Sequence, residues 1–153
     1  MKTMMTVLLA AALSLPMLAG AEGLQFKRSN DNGYDDYSGQ ITVSGKYSRH
    51  FDDEVMGDSV CFDVNGPTAK LIPRKKGDER NTWFCFRNQQ TAVNTFKIAK
   101  KPGNRHCGYE GTATVTIKQY SVYTEISDGA DLAQLISAKN VSAPKNTQCY
   151  SEG

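Results

Sequence analysis

The sequence predicts a mainly β domain of five strands, with one short helix between the third and fourth and two disulfides. Three observations lead there. Apolar side chains alternate with a two-residue period over much of the chain, Asn-, Gly- and Pro-marked turns separate the alternating runs, and four cysteines follow a secretion-type leader.

The leader covers residues 1–21. Met1-Lys2-Thr3 is a short positive start, and Met4 to Leu18 is apolar, broken only by Thr6, Ser14 and Pro16. Ala19-Gly20-Ala21 then sets small residues at the −3 and −1 positions of a cut before Glu22. The apolar run is shorter than the roughly 20 residues that span a bilayer, so a cleaved signal is expected, with no membrane span afterwards. A lipoprotein would need a cysteine directly after the cut, and the first cysteine is Cys61. Removing residues 1–21 from the 153 leaves 132, one domain's worth of chain. Lys2 is the only charge lost, so 18 Lys+Arg become 17 against 16 Asp+Glu. So even a balance argues against nucleic acid as the partner. The expected location is the periplasm, or outside the cell, after cleavage following Ala21.

In an oxidising compartment Cys61, Cys85, Cys107 and Cys149 are expected to pair, and four cysteines allow three connectivities. Cys61–Cys85 with Cys107–Cys149 is favoured, because Val60–Val64 and Trp83–Phe86 read as neighbouring strands. Zinc is disfavoured: no two cysteines share a CxxC spacing, and His106 sits directly beside Cys107.

Along the chain, residues 22–38 read as a flexible polar segment with an Asn-Gly turn at Asn32-Gly33. Its acidic residues lack the EF-hand spacing, so no calcium loop is expected. The single domain then runs over 39–149. Ile41, Val43 and Tyr47 form one face of the first strand, and Gly45 on that same face suits a bulge or sharp bend. Arg49 to Gly57 is a charged loop. Val60, Phe62 and Val64 make the second strand, ended by Asn65-Gly66-Pro67, with Leu71-Ile72 as a short edge strand. Thr82 to Phe86 is the third. Asn88 is placed to cap a helix over Gln89 to Ile98. Thr112 to Tyr123 is the longest strand. Its apolar phase slips from odd positions (Ala113, Val115, Ile117) to even ones (Tyr120, Val122), which demands a bulge or corner near Lys118-Gln119. A short helical turn with Asp128 as cap and Leu132, Leu135 and Ile136 on one face follows, then a last strand over Ser137 to Val141.

Five strands with a helix between the third and fourth resemble the OB-fold, a partly open five-stranded Greek-key barrel. The resemblance covers Gly39 to Val141 and rests on the Gly45 bend, the Gln89–Ile98 helix and the Gly111-to-Val115 strand start. It is one of architecture, similar to the small exported OB-fold-like proteins of bacteria, and carries no diagnostic motif. A lipocalin-like or sandwich arrangement of the same strands is the alternative. In an OB-fold the ligand face is that of strands 2 and 3, flanked by the loops joining strands 1–2 and 4–5. By position these are Val60–Val64 with Thr82–Phe86, Arg49–Gly57 and Glu125–Asp131.

A GxSxG nucleophile elbow is missing from the sequence. Asp52, Asp53 and Glu54 beside Arg49 and His50 resemble a nuclease metal site in composition only, since neighbouring residues of a strand face opposite ways. His50 and His106 sit in polar loop contexts. Trp83, Phe84 and Phe86 beside a basic run match the stacking platform of a base-binding groove in composition, but the core is the expected place for them. The remaining signal is opposed charge, with Arg74, Lys75, Lys76 and Arg80 basic and Asp52, Asp53 and Glu54 acidic. These seven are the candidate binding residues, since charge complementarity speeds protein encounter and rejects wrong partners. The expectation is a non-enzymatic envelope binding module of the inhibitor or immunity type, with a protein partner and no cofactor or metal. The alternative is an envelope stress protein binding a small ligand or saccharide.

Overall fold

The computed structural model describes residues 23–150 except 126 and 128. The expected leader at 1–21 and the Asp128 cap lie outside the described residues. Eight strands and two helices follow in chain order: β1 (Gln25–Ser29), β2 (Tyr34–Ser38), β3 (Gln40–His50), β4 (Val60–Val64), α1 (Gly66–Ala69), β5 (Trp83–Phe86), α2 (Gln89–Phe96), β6 (Gly108–Tyr123), β7 (Asp131–Lys139) and β8 (Lys145–Thr147). The expectation of five strands and one helix is therefore too small, though the mainly β class and both disulfides stand.

Five strands pair in a ring. β3 lies antiparallel to β4, β4 antiparallel to β5, β5 parallel to β7, β7 antiparallel to β6, and β6 antiparallel to β3 again. α2 occupies the connection between β5 and β6. The other strands attach to β6: β8 at its start, and the β1–β2 hairpin at its end through Tyr34↔Tyr123 and Asp36↔Ser121. Residues 25–29 and 34–38, within the segment expected to be a flexible lead-in, are thus paired strands. The hairpin forms because Asn30 Oδ1 accepts the Asn32 and Tyr34 N–H groups and Gly33 takes φ 78°, closing the expected Asn-Gly turn.

The core fills the ring. Ile41, Val43 and Tyr47 of β3 meet Val60 and Phe62 of β4, Phe84 and Phe86 of β5, Phe96 of α2, and Val115, Ile117, Tyr120 and Val122 of β6. The aromatic rings interlock: Tyr47 stacks on Phe96 at 4.4 Å, and Phe84 meets Phe86 and Tyr120 edge-on at 5.3 and 5.6 Å. Each such buried ring contributes about 1.5–3 kcal/mol.

The phase slip in β6 is real. Its register with β7 breaks between Lys118 and Ser121, and Gln119 takes φ 49°. A second register break in β7 leaves Ile136 unpaired and exposed between the buried Leu135 and the half-buried Ala138. The helix-like spacing of Leu132, Leu135 and Ile136 combines the inward-facing Leu135 with the half-buried Leu132 and the exposed Ile136, and all three belong to β7 rather than to a helical turn. β7 also absorbs most of the expected Ser137–Val141 strand.

Three smaller expectations are corrected. Gly45 pairs with both Val64 and Ala113 without a bulge; it is needed because a Cβ there would strike the Asp63 carbonyl oxygen and the Phe62 ring. Asn65-Gly66-Pro67 begins α1, with Pro67 in its first turn, and Leu71-Ile72 form the turn after it instead of an edge strand. Asn88 sits at the N-cap of α2 but gives no side-chain cap. Its amide instead donates to the Leu135 carbonyl and accepts the Leu135 N–H, both at 2.9 Å, standing in for one more β-pair to β7.

Candidate functional site

Strand alternation sets the outer face of β3, β4 and β5. Tyr47, Phe62 and Phe84 point into the ring, so their neighbours Lys46, Asp63 and Trp83 form a cross-strand row outside, beside a second row of Ser48, Cys61 and Cys85. The Cys61–Cys85 bridge staples this outer face, its Cα atoms 3.9 Å apart on directly opposed residues.

Three adjoining cavities follow this face. One of about 290 Å³ is lined by His50, Asp53, Asp63, Asn81, Trp83 and Tyr150. The next, of about 300 Å³, shares Asn81 and Trp83 and adds Arg74, Arg80 and Asp131. The third, of about 580 Å³, shares Arg80 and adds Lys75, Lys76, Asp78, Tyr123 and Glu125. Together they make a groove that is acidic at the β3–β4 loop and of mixed charge at the loop before β5, where Lys75, Lys76 and Arg80 share the lining with Asp78 and Glu125, with the half-buried Trp83 midway. Both loops expected to flank a ligand, 49–57 and 125–131, contribute to its rims.

The candidate residues fare unequally. Asp52 accepts the Tyr150 N–H at 2.8 Å, and Asp53 caps the following turn through the N–H groups of Val55 and Met56 at 2.9 Å. Arg74 is turned inward, donating to the buried Asp131 at 2.7 Å. Lys75 pairs with Asp35 at 3.4 Å. Arg80 grips Asp78 with two hydrogen bonds and donates to the Tyr123 carbonyl at 2.8 Å. That guanidinium holds the Asp78 carboxyl well below its ordinary range, at about 2. Lys76 and Glu54 make no ion pair among the described residues. The four cations thus share one stretch of groove, but only Lys76 is uncommitted, and the Arg80 charge is paired with Asp78.

Asp52 lies within 4.8 Å of the sulfurs of Cys107 and Cys149. Both sulfurs are in a disulfide, so this trio offers no thiolate to a metal. That bridge places Tyr150 beside His50, ring centroids 4.9 Å apart, at the acidic end of the groove. The Tyr150 hydroxyl is shifted upward by burial and by Asp53 and Asp52, so it stays a neutral donor at neutral pH.

Asp63, Asn81 and Tyr150 were missed by the sequence reading, and Trp83 was assigned to the core with Phe84 and Phe86. Only the two phenylalanines are there. The signal was available for two of them: alternation puts Asp63 and Trp83 opposite Phe62 and Phe84.

No helix among the described residues is long and apolar enough to cross a membrane. In comparisons with protein-family models, curated proteins and solved structures, nothing matches this chain.

Proposed function

We propose that this chain is an exported, non-enzymatic binding module with an OB-fold-like barrel, an inhibitor- or immunity-type protein that holds another envelope protein in the groove over Trp83. The ring of five paired strands, its parallel β5–β7 pair and the helix between β5 and β6 support the barrel reading. Two disulfides support export. The observation that carries the function is the groove itself. An indole lies between an acidic end at Asp53 and Asp63 and an end where Lys76, with no ion pair among the described residues, stands beside the Arg80–Asp78 pair, so one surface combines an aromatic anchor with charges that fix a partner's orientation.

A saccharide ligand is the second reading. It is favoured by Trp83 lining its cavities together with Asn81 and Asp63, an aromatic face beside polar side chains.

The test is affinity capture from an envelope extract with the disulfide-intact chain, beside Trp83→Ala and Lys76→Glu. One stoichiometric protein retained by the native chain and lost with both variants is the expected result. Glycan binding without a protein partner would transfer the assignment to the second reading. A partner retained equally by both variants would remove the groove from the account.

A further inference from the structure

A different corner of the molecule has the makings of a second site. Gly39, between β2 and β3, takes φ 92°, and Gln119, inside β6, takes φ 49°. The ladder is regular up to Gln40↔Lys118 and resumes at Asp36↔Ser121, so the two bends face each other where pairing lapses. On β1, Lys27 is the extra residue of a bulge between Phe26↔Tyr37 and Arg28↔Asp36. Around these three irregularities lies a cavity of about 580 Å³, which shares no lining residue with the Trp83 groove.

Four cations line it: Lys27 and Arg28 from β1, Arg87 just after β5, and Lys118 from β6. The single carboxylate is Asp36, and it is already satisfied. It accepts the Ser121 hydroxyl at 2.6 Å, the Asn30 amide at 3.2 Å and Arg28 Nε at 3.3 Å. Arg87 is fixed by neutral acceptors only, the Ser121 hydroxyl and the Gln119 carbonyl. Among the described residues no ion pair involves Lys27, Arg87 or Lys118. Three uncompensated positive charges therefore line one concavity, two from separate strands and one from the bend after β5, the last a guanidinium already oriented by hydrogen bonds. Like charges collected in this way are relieved by an anion with several acceptor oxygens and more than one charge.

We propose that this corner binds the phosphoryl group of a phosphomonoester. A carboxylate brings a single charge to three cations, whereas a phosphomonoester brings nearly two charges and three acceptor oxygens for the guanidinium fork and two ammonium groups. The cavity is roomier than phosphate alone needs, so the rest of the ligand extends along the Tyr37 and Ser38 side. The phosphoryl group belongs either to a soluble metabolite or to a lipid headgroup.

The test titrates the disulfide-intact chain with glucose 6-phosphate, read by amide NMR, and in parallel measures co-sedimentation with vesicles containing phosphatidic acid against phosphatidylcholine alone. The expected result is saturable shifts centred on Lys27, Arg87, Lys118 and Ser121, or sedimentation that needs phosphatidic acid. Response to the sugar phosphate assigns a soluble source, and response to the vesicles alone assigns a lipid headgroup. Arg87→Gln and Lys118→Gln alter exposed side chains, and each should weaken binding by about tenfold or more, as expected for loss of a charge-assisted contact. Absence of both responses overturns the proposal. So does binding that both variants retain at native strength, or shifts centred on Trp83 instead.

Discussion

Arg74 and Asp131 are joined by a 2.7 Å ion pair in the wall of the groove, and the same Asp131 carboxylate accepts the Tyr120 hydroxyl at 2.7 Å and the Tyr123 N–H at 2.8 Å. Asp131 is buried and the Arg74 side chain nearly so, at 3% and 16% exposure. Burial, with the negative Asp131 second, pushes the Tyr120 hydroxyl well above its ordinary value, so it remains a donor. Removing one partner of such a pair leaves a charge buried and uncompensated. Arg74→Met is expected to lower stability by about 3 kcal/mol, read as a reduced urea midpoint. Unchanged stability would mean that Arg74 is free for a ligand after all.

The two bridges close loops of different length, with sequence separations of 24 and 42. In the chain-entropy model each stabilises by on the order of 3–4 kcal/mol, the longer loop slightly more. Replacing Cys107 and Cys149 with Ala should therefore cost at least as much as replacing Cys61 and Cys85. It should also release Tyr150 from His50, seen as loss of the ring-current shifts on His50 protons. Equal mobility of Tyr150 in both proteins would show that the tail needs no tether.

Gly39 and Gln119 both hold left-handed backbone, but only one is a glycine. Gln119→Gly is expected to raise stability by about 0.5–1 kcal/mol by relieving that conformation. Gly39→Ala is expected to lower it by about 1–3 kcal/mol, since the new Cβ also meets the Gly23 carbonyl. Denaturant melts of the two variants check both signs.

Acid sensitivity has a defined direction. Asp78 sits at about 2, chiefly through its hydrogen bonds from Arg80, and Asp36 is lowered chiefly by the Ser121 hydroxyl. A carboxylate whose folded pKa lies below its unfolded value stabilises the fold above the unfolded pKa, and that gain disappears as pH falls through the folded value. For Asp78 the loss falls between about pH 4 and pH 2. Arg80→Gln should make the urea midpoint fall less steeply across that window than in the native chain. Parallel slopes would show that the Arg80–Asp78 pair contributes no measurable stability.

Much of the ring could be read in the sequence because one-face burial imposes a period of two, and that period survives in Ile41–Tyr47, Val60–Val64 and Ala113–Ile117. Even the slip at Gln119 was legible, since a slipped phase forces an irregularity. What was not legible came from elements whose burial is partial or whose register is broken. β1 is exposed along its length and β2 half-buried, so neither carries an alternation signal, and in β7 the half-buried Leu132 and the exposed Ile136 fall with Leu135 into the spacing of a helix. The groove was half visible. Its charges stand out as runs, but whether Arg74 or Asp53 faces a partner or its own backbone is decided by tertiary hydrogen bonds that no local pattern encodes.

Site-specific photo-crosslinking tests the proposed role of the groove most directly. A photoreactive phenylalanine analogue replaces Trp83, Lys76 or, as a control at the exposed end of β7, Lys139, and the disulfide-bonded chain is irradiated in an envelope fraction. The expected result is one discrete protein adduct from positions 83 and 76 and none from 139. Adducts from position 139 with none from 83 or 76 would place any partner elsewhere and contradict the assignment of the groove.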